Sequence, residues 1–274
     1  MLGAIVGDIV GSPFEFGRDR DIAHSKKYPL VSRYSHFTDD TVMTLAVAEA
    51  LMSSMTKKGD ETSEAEFESC VIKSMRSFAN VHPNAGYGGR FYEWLFSMKE
   101  PKPYGSYGNG SAMRVSPVAW AFDNLEEVER FAEASARVTH NHPEGIKGAK
   151  ATAAAIFMAR TGKTKAEIKN YIVEKYHYDL TRTLDEIRPT YEHIETCQQT
   201  VPEAITAFME GKDFEDVVRC AVSLSGDADT LTAIAASIAE GAYGIPDEIN
   251  KMILPKLDEF LLNVLNKWEA WRSN

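Results

Sequence analysis

The chain is short of cysteine, of positive charge and of long apolar runs, and each shortage excludes a class of protein. Its three cysteines, Cys70, Cys197 and Cys220, are scattered and odd in number. They form neither a disulfide framework nor a CxxC metal or redox motif, and they fit reduced thiols in an intracellular protein. Lys and Arg number 30 against 40 Asp and Glu, a net charge of -10. A balance of that sign argues against a nucleic-acid backbone or an anionic membrane as principal partner. A phosphorylated ligand would need local metal ions, helix N-termini or a few placed cations. The first stretch, MLGAIVGDIVGSPFEF, is apolar but has no basic leader and is interrupted by Asp8. It reads as neither a signal peptide nor a membrane span, so a cytoplasmic protein is expected. Linker composition, internal repeats and alternating strand patterns are also missing, and residues 1–274 read as one domain.

What is present is helical periodicity. Residues 2–11 space Gly3, Gly7 and Gly11 four apart, which puts a smooth stripe on one helix face for close packing. Residues 39–55 are rich in good helix formers, and 64–80, 126–138, 145–161, 164–176, 199–210, 213–223 and 257–272 read as further helices. Residues 230–243, TLTAIAASIAEGAY, are nearly free of charge. A helix apolar on all sides is packed by neighbours all round, so this one is expected at the centre of an all-α fold. Residues 82–90 and 101–111 concentrate Gly, Pro, Asn and Tyr and are expected to be loops, where ligand contacts concentrate.

Two acidic clusters open helices far apart in the chain: Thr38-Asp39-Asp40-Thr41 and Asp227-Ala228-Asp229-Thr230. Alone, the first is an ordinary N-cap, with threonine on the free amides and acid in the first turn. The second changes that reading. Asp227 and Asp229 would point about 200° apart on a regular helix, but at a turn entering one both can face a single ion. Buried carboxylates need partners, and SLSGDADTLTAIAAS contains no Lys or Arg. Thr38, Asp39, Asp40, Asp227, Asp229 and Thr230 make an all-oxygen ligand set without histidine or cysteine. Such a set suits hard cations, and two Mg²⁺ (or Mn²⁺) would form a hydrolytic centre.

Glu15 closes GSPFEF between two phenylalanines. It reads either as an exposed turn residue or as a carboxyl in an apolar wall with the raised pKa of a general base. The loop Gly105-Ser106-Tyr107-Gly108-Asn109-Gly110-Ser111 exposes amides ahead of a helix start, a cradle suited to phosphate. It is neither a Walker A nor a GxGxxG fingerprint. Thr139-His140-Asn141-His142-Pro143 holds two histidines, better placed for capping or substrate contact than for metal. An all-α prenyl-diphosphate enzyme would also use Asp-rich helices and Mg²⁺, but it needs Asp-Asp-x-x-Asp, and here the fifth position is Met43.

Read in order, GDIVGSPFEF, FTDDTVM, GSYGNGSAMR, THNHPEG and SGDADTLTAIAASIAEGAYG resemble the signature segments of the ADP-ribosylglycohydrolases, over roughly residues 3–244. The resemblance implies an all-α many-helix orthogonal bundle with a binuclear Mg²⁺ or Mn²⁺ centre. The implied reaction is hydrolysis of the glycosidic bond between ADP-ribose and an acceptor, on a protein side chain or a related ADP-ribosyl compound. By position it implies Thr38, Asp39 and Asp40 as one metal-binding group and Asp227, Asp229 and Thr230 as the other. Glu15, with Asp39 and Asp229, falls to the chemistry. Gly105, Ser106, Tyr107, Asn109 and His140 fall to the ADP-ribose. Ala228 stands where the family often has a hydroxylated or aliphatic residue, which removes no ligand. A monomer with an ADP-ribosylated substrate as partner is expected, and a catalytically silent ADP-ribose-binding relative is the rival within the family.

Overall fold

The computed structural model describes residues 1–273, and among them the chain is helical throughout, its only β pairing an isolated bridge between Gly108 and Thr196. In chain order the helices are α1 (Leu2–Gly11), α2 (Arg20–Ser25), α3 (Asp39–Ser54), α4 (Glu64–Val81), α5 (Gly89–Phe96), α6 (Gly110–Met113), α7 (Ser116–Ala121) and α8 (Leu125–Arg137). They continue with α9 (Pro143–Arg160), α10 (Lys165–Tyr176), α11 (Leu184–Ile187), α12 (Cys197–Glu210), α13 (Phe214–Val222), α14 (Ala228–Tyr243), α15 (Asp247–Ile253) and α16 (Glu259–Ser273). Two 3₁₀ turns, Ser12–Gly17 and Leu254–Lys256, follow α1 and α15. Buried apolar side chains from Met1 to Trp271 form one cluster. The all-α expectation holds.

α14 is the axis of the molecule. Every residue from Ala228 to Ala239 is buried, and α1, α9, α12 and α13 pack around it. The glycine stripe of α1 explains how closely the first and fourteenth helices meet. A Cβ at Gly3, Gly7 or Gly11 would lie 2.4, 2.3 or 2.4 Å from the carbonyl oxygens of Ala236, Thr232 and Ala228. Only glycine permits that approach, because the obstacle is backbone and not a movable side chain. α3 packs against α4, α16, α1 and α14. Its first turn meets the first turn of α14, where the Thr230 hydroxyl bonds to Asp40.

Residues 82–90 were expected to form a loop, but α5 begins inside that stretch, at Gly89. Gly88 and Gly89 supply the helix start, and Phe91, Trp94 and Leu95, spaced i, i+3, i+4, bury its inner face. Among residues 101–111 the irregular backbone ends at Gly110, where α6 begins. Among the described residues no helix is long and apolar enough to cross a membrane. All three cysteines are free thiols.

Candidate active site

The two acidic clusters, at opposite ends of the sequence, meet at one cavity. Thr230 Oγ1 donates to Asp40 Oδ2 across 190 residues of sequence at 3.0 Å. Carboxylate oxygens of Glu15, Asp227 and Asp229 lie within 4.8 Å of one another. Asp39, Asp40 and Thr230 line the same cavity of about 350 Å³, a size within the usual range for small-molecule sites.

Local structure delivers each group. Thr38 caps α3 by accepting from Asp40 N at 3.3 Å, and Asp39 and Asp40 stand in its first turn, as the capping reading has it. That reading does not account for their meeting with the second cluster at one cavity. Ahead of α14 the chain turns through Ser225 and Gly226, both at positive φ, and Asp227 then makes no capping bond with its side chain. Its Oδ2 instead accepts from Asn109 Nδ2. Glu15 is brought in by the turn after α1, which is pinned by a hydrogen bond from Phe16 N to Gly226 O at 2.8 Å.

Burial and mutual repulsion set the electrostatics. Asp39, Asp40 and Asp227 titrate well above the ordinary carboxylate range, first because burial disfavours the charge and then because Asp229 repels it. Burial likewise raises Asp229. Glu15 is pushed up to about 7 by burial and by Asp229, against the opposing pull of His193 and Arg18. No Lys, Arg or His lies within salt-bridge distance of these carboxylates among the described residues, and Asp40 Oδ1 is buried without a partner. Such a set is costly unless a cation joins it. An all-oxygen, acid-rich donor set with an orphaned carboxylate oxygen fits a hard divalent ion.

The glycine-rich loop forms a further part of the wall: Ser106, Gly108, Asn109 and Gly110 line the cavity, together with His140 and the fully buried Arg114. The loop is stitched to the segment before α12: Asn109 N donates to Glu195 O at 2.8 Å and Cys197 N to Tyr107 O at 3.0 Å.

Comparison with known proteins agrees with this arrangement: the sequence profile described as ADP-ribosylglycohydrolase matches residues 1–271. The chain belongs to the ADP-ribosylglycohydrolase family. ADP-ribosylhydrolase ARH3 of Homo sapiens is 26% identical over 315 residues, covering 89% of this chain and 84% of that protein. The ADP-ribosyl-dinitrogen reductase glycohydrolase of Rhodospirillum rubrum is 29% identical over 273 residues, covering 94% and 88%. A solved ADP-ribosylglycohydrolase-related protein complex superposes with a TM-score of 0.65 at 25% identity, over 99% of this chain and 92% of that one. Membership makes the chain a glycosidic-bond hydrolase and sets the prenyl-diphosphate reading aside.

Within this ADP-ribosylglycohydrolase the structure gathers Glu15, Asp39, Asp40, Asp227, Asp229 and Thr230 at the cavity, and Ser106, Asn109 and His140 line it too. Thr38 lies directly behind, buried, and is not part of the cavity wall. Gly105 and Tyr107 also lie outside the wall. Gly105 N donates to Asn141 Oδ1 at 2.7 Å, and Tyr107 is exposed with its ring 5.2 Å from that of His142.

Sequence reasoning passed over Asp8. Its carboxylate, fully buried, accepts from Thr38 N (2.9 Å), Thr38 Oγ1 (2.8 Å), Thr41 N (3.0 Å) and Thr41 Oγ1. Burial and Asp229 still hold its pKa up near 6. Because the Thr38 hydroxyl proton goes to Asp8, the Thr38 oxygen is left with acceptor capacity only, beyond its cap. The available signal was a lone aspartate inside an otherwise apolar, glycine-striped helix. Arg114 was passed over too, although it closes the segment GSYGNGSAMR.

Proposed function

We propose that this protein, one domain across residues 1–274, hydrolyses the glycosidic bond between ADP-ribose and an acceptor on a protein side chain or a related small molecule. Two Mg²⁺ or Mn²⁺ would be held by Asp39, Asp40, Asp227, Asp229 and Thr230, with Thr38 behind them. The observation that carries the reading is the convergence of five buried or half-buried carboxylates from three distant segments on one cavity, with no basic residue in salt-bridge contact with them among the described residues. Bound ions of this kind supply positive charge that orients hydroxyl groups and acidifies water.

The rest of the chemistry falls to the chain's own residues. Glu15, raised to about 7, is ionised in a large fraction of molecules at neutral pH and would take a proton from the attacking water. Asp39 and Asp229 are the alternative proton acceptors, and their charge favours an oxocarbenium-like transition state at the ribose carbon. On this reading the diphosphate lies along the Ser106–Gly110 loop, and the nearby Arg114 charge supplies the local positive field that an acidic protein needs there. The test is release of ADP-ribose from a panel of ADP-ribosylated acceptors, with chelator and with added Mg²⁺ or Mn²⁺. Metal-dependent release from at least one acceptor is expected. ADP-ribose binding without turnover on any of them would favour the silent relative.

A further inference from the structure

The substrate wall contains a chain of hydrogen bonds that the proposed reaction does not by itself require. Arg114 is fully buried, and no carboxylate pairs with it among the described residues. Its Nη2 donates to Ser135 O at 3.1 Å and to Thr139 Oγ1 at 2.8 Å, while Nε and Nη1 have no partner. Thr139 Oγ1 lies 2.7 Å from His140 Nδ1. His140 is itself buried. Its Nε2 is free of protein partners among the described residues and sits beside the loop, 3.5 Å and 3.4 Å from where a Cβ would stand at Gly108 and Gly110. Absence of side chains at those two positions keeps Nε2 uncovered.

The proton positions follow from counting donors and acceptors. A guanidinium cannot accept and stays charged at neutral pH, so Thr139 Oγ1 must be the acceptor from Arg114. The threonine hydroxyl proton then has two possible destinations, Ala136 O at 3.4 Å or His140 Nδ1 at 2.7 Å. Ala136 O already accepts from Thr139 N at 3.1 Å and His140 N at 2.8 Å, which occupies both of its lone pairs. The hydroxyl therefore donates to Nδ1, and an imidazole that accepts at Nδ1 carries its proton on Nε2.

We propose that Arg114 and Thr139 are positioning residues that lock His140 as a neutral imidazole with its N–H on Nε2, a hydrogen-bond donor aimed at an anionic or hydroxyl oxygen of the bound ADP-ribosyl group. The groups that face His140 agree. Burial first, then Arg114 and Arg90, hold its pKa well below the ordinary histidine value, and the neighbouring Tyr104 ring, 6.2 Å away, brings no negative charge at neutral pH. A buried guanidinium without a counterion is expensive, and fixing this tautomer gives it a function that packing alone does not. The identity of the recognised oxygen rests on the hydrolase reading above. The tautomer itself does not.

Ring ¹⁵N NMR of the full-length protein labelled at histidine, without metal or ligand, tests it, His140 being assigned by the signal lost in His140→Asn. The expected spectrum between pH 6 and 8 has Nε2 protonated and Nδ1 bare. Thr139→Val, close in shape but without the hydroxyl, should release the lock and give Nδ1–H or averaged tautomers. It should also weaken ADP-ribose binding roughly 3- to 10-fold, the loss of about one hydrogen bond. Thr139→Ser should restore both readouts. A wild-type spectrum with the proton on Nδ1 overturns the proposal, and that measurement needs no variant to fold. An unchanged Nε2–H tautomer in a folded Thr139→Val protein overturns it equally. A locked tautomer in a protein with no hydrolytic activity would sink the functional reading and leave the relay standing.

Discussion

At the scale of single residues, Glu15 shows how environment assigns a role. Its carboxyl is half-buried among like charges and is raised to about 7. A base must be deprotonated to act, so kcat/KM should fall on the acid side as Glu15 gains its proton. Bound cations pull that pKa down, which places the acid limb at or below pH 7. Glu15→Gln should lower turnover by roughly 10²-fold or more and abolish that limb, while leaving ADP-ribose affinity nearly unchanged. A pH–rate profile with the limb intact in the variant would move the base role to Asp39 or Asp229. Asp229→Ala, at the centre of the repulsion felt by every other carboxylate here, should abolish hydrolysis and shrink the Mg²⁺-induced rise in Tm. Equal rises in wild type and variant would remove Asp229 from the ligand set.

At the scale of elements, the contact between α1 and α14 is the tightest constraint on the site. Gly7→Ala would drive a methyl group into the Thr232 carbonyl, and α1 would have to retreat. The expected cost is about 1–3 kcal/mol or more, seen as a Tm loss of roughly 2–12 °C at this chain length. Because Asp8 follows Gly7 directly and holds Thr38 and Thr41, metal affinity measured by calorimetry should weaken as well. Unchanged Tm and affinity would mean the helices are not in contact there. The stripe itself was legible, since glycine every fourth residue has a direct geometric meaning, and so was the central helix, from its lack of charge. Short elements were not: α2, α6, α7, α11 and α15 have too few residues to display a period. α5 was hidden by the glycines that begin it. The partners of Asp8 were beyond reach because they lie 30 and 33 residues away, and nothing local marks a carboxylate that will meet two threonines.

For the molecule as a whole, the acidic centre couples stability to pH and, on the proposed function, to metal. Asp8 is raised to about 6 and Glu15 to about 7, with Asp39, Asp40 and Asp227 shifted in the same direction. A group whose folded pKa exceeds its unfolded value binds protons more tightly when folded, so its contribution is full below about pH 4 and is lost as pH rises through 6 to 7. Metal-free protein should therefore lose this stabilisation between pH 5 and 8, and added Mg²⁺ should raise Tm more at pH 8 than at pH 5.5. Melting curves with chelator and with excess Mg²⁺ at the two pH values measure it. An equal shift at both would separate the carboxylates from the metal. Across the chain, the clusters were legible because composition exposed them. Their meeting became definite only with the α1, α3 and α14 packing that closes 190 residues of separation.

That same separation has a consequence for the protein during its synthesis. Asp39 and Asp40 leave the ribosome long before Asp227 and Asp229, by roughly 10–40 s at ordinary elongation rates. Until then α1 has no partner for its glycine face, and α3 presents its acidic end to solvent. The repulsive cluster cannot form early, so the growing chain is spared it and cannot cleave anything. Activity should switch on in a single late step, when α14 slides between helices made first, and loop closure over that span is the slow event to look for in refolding.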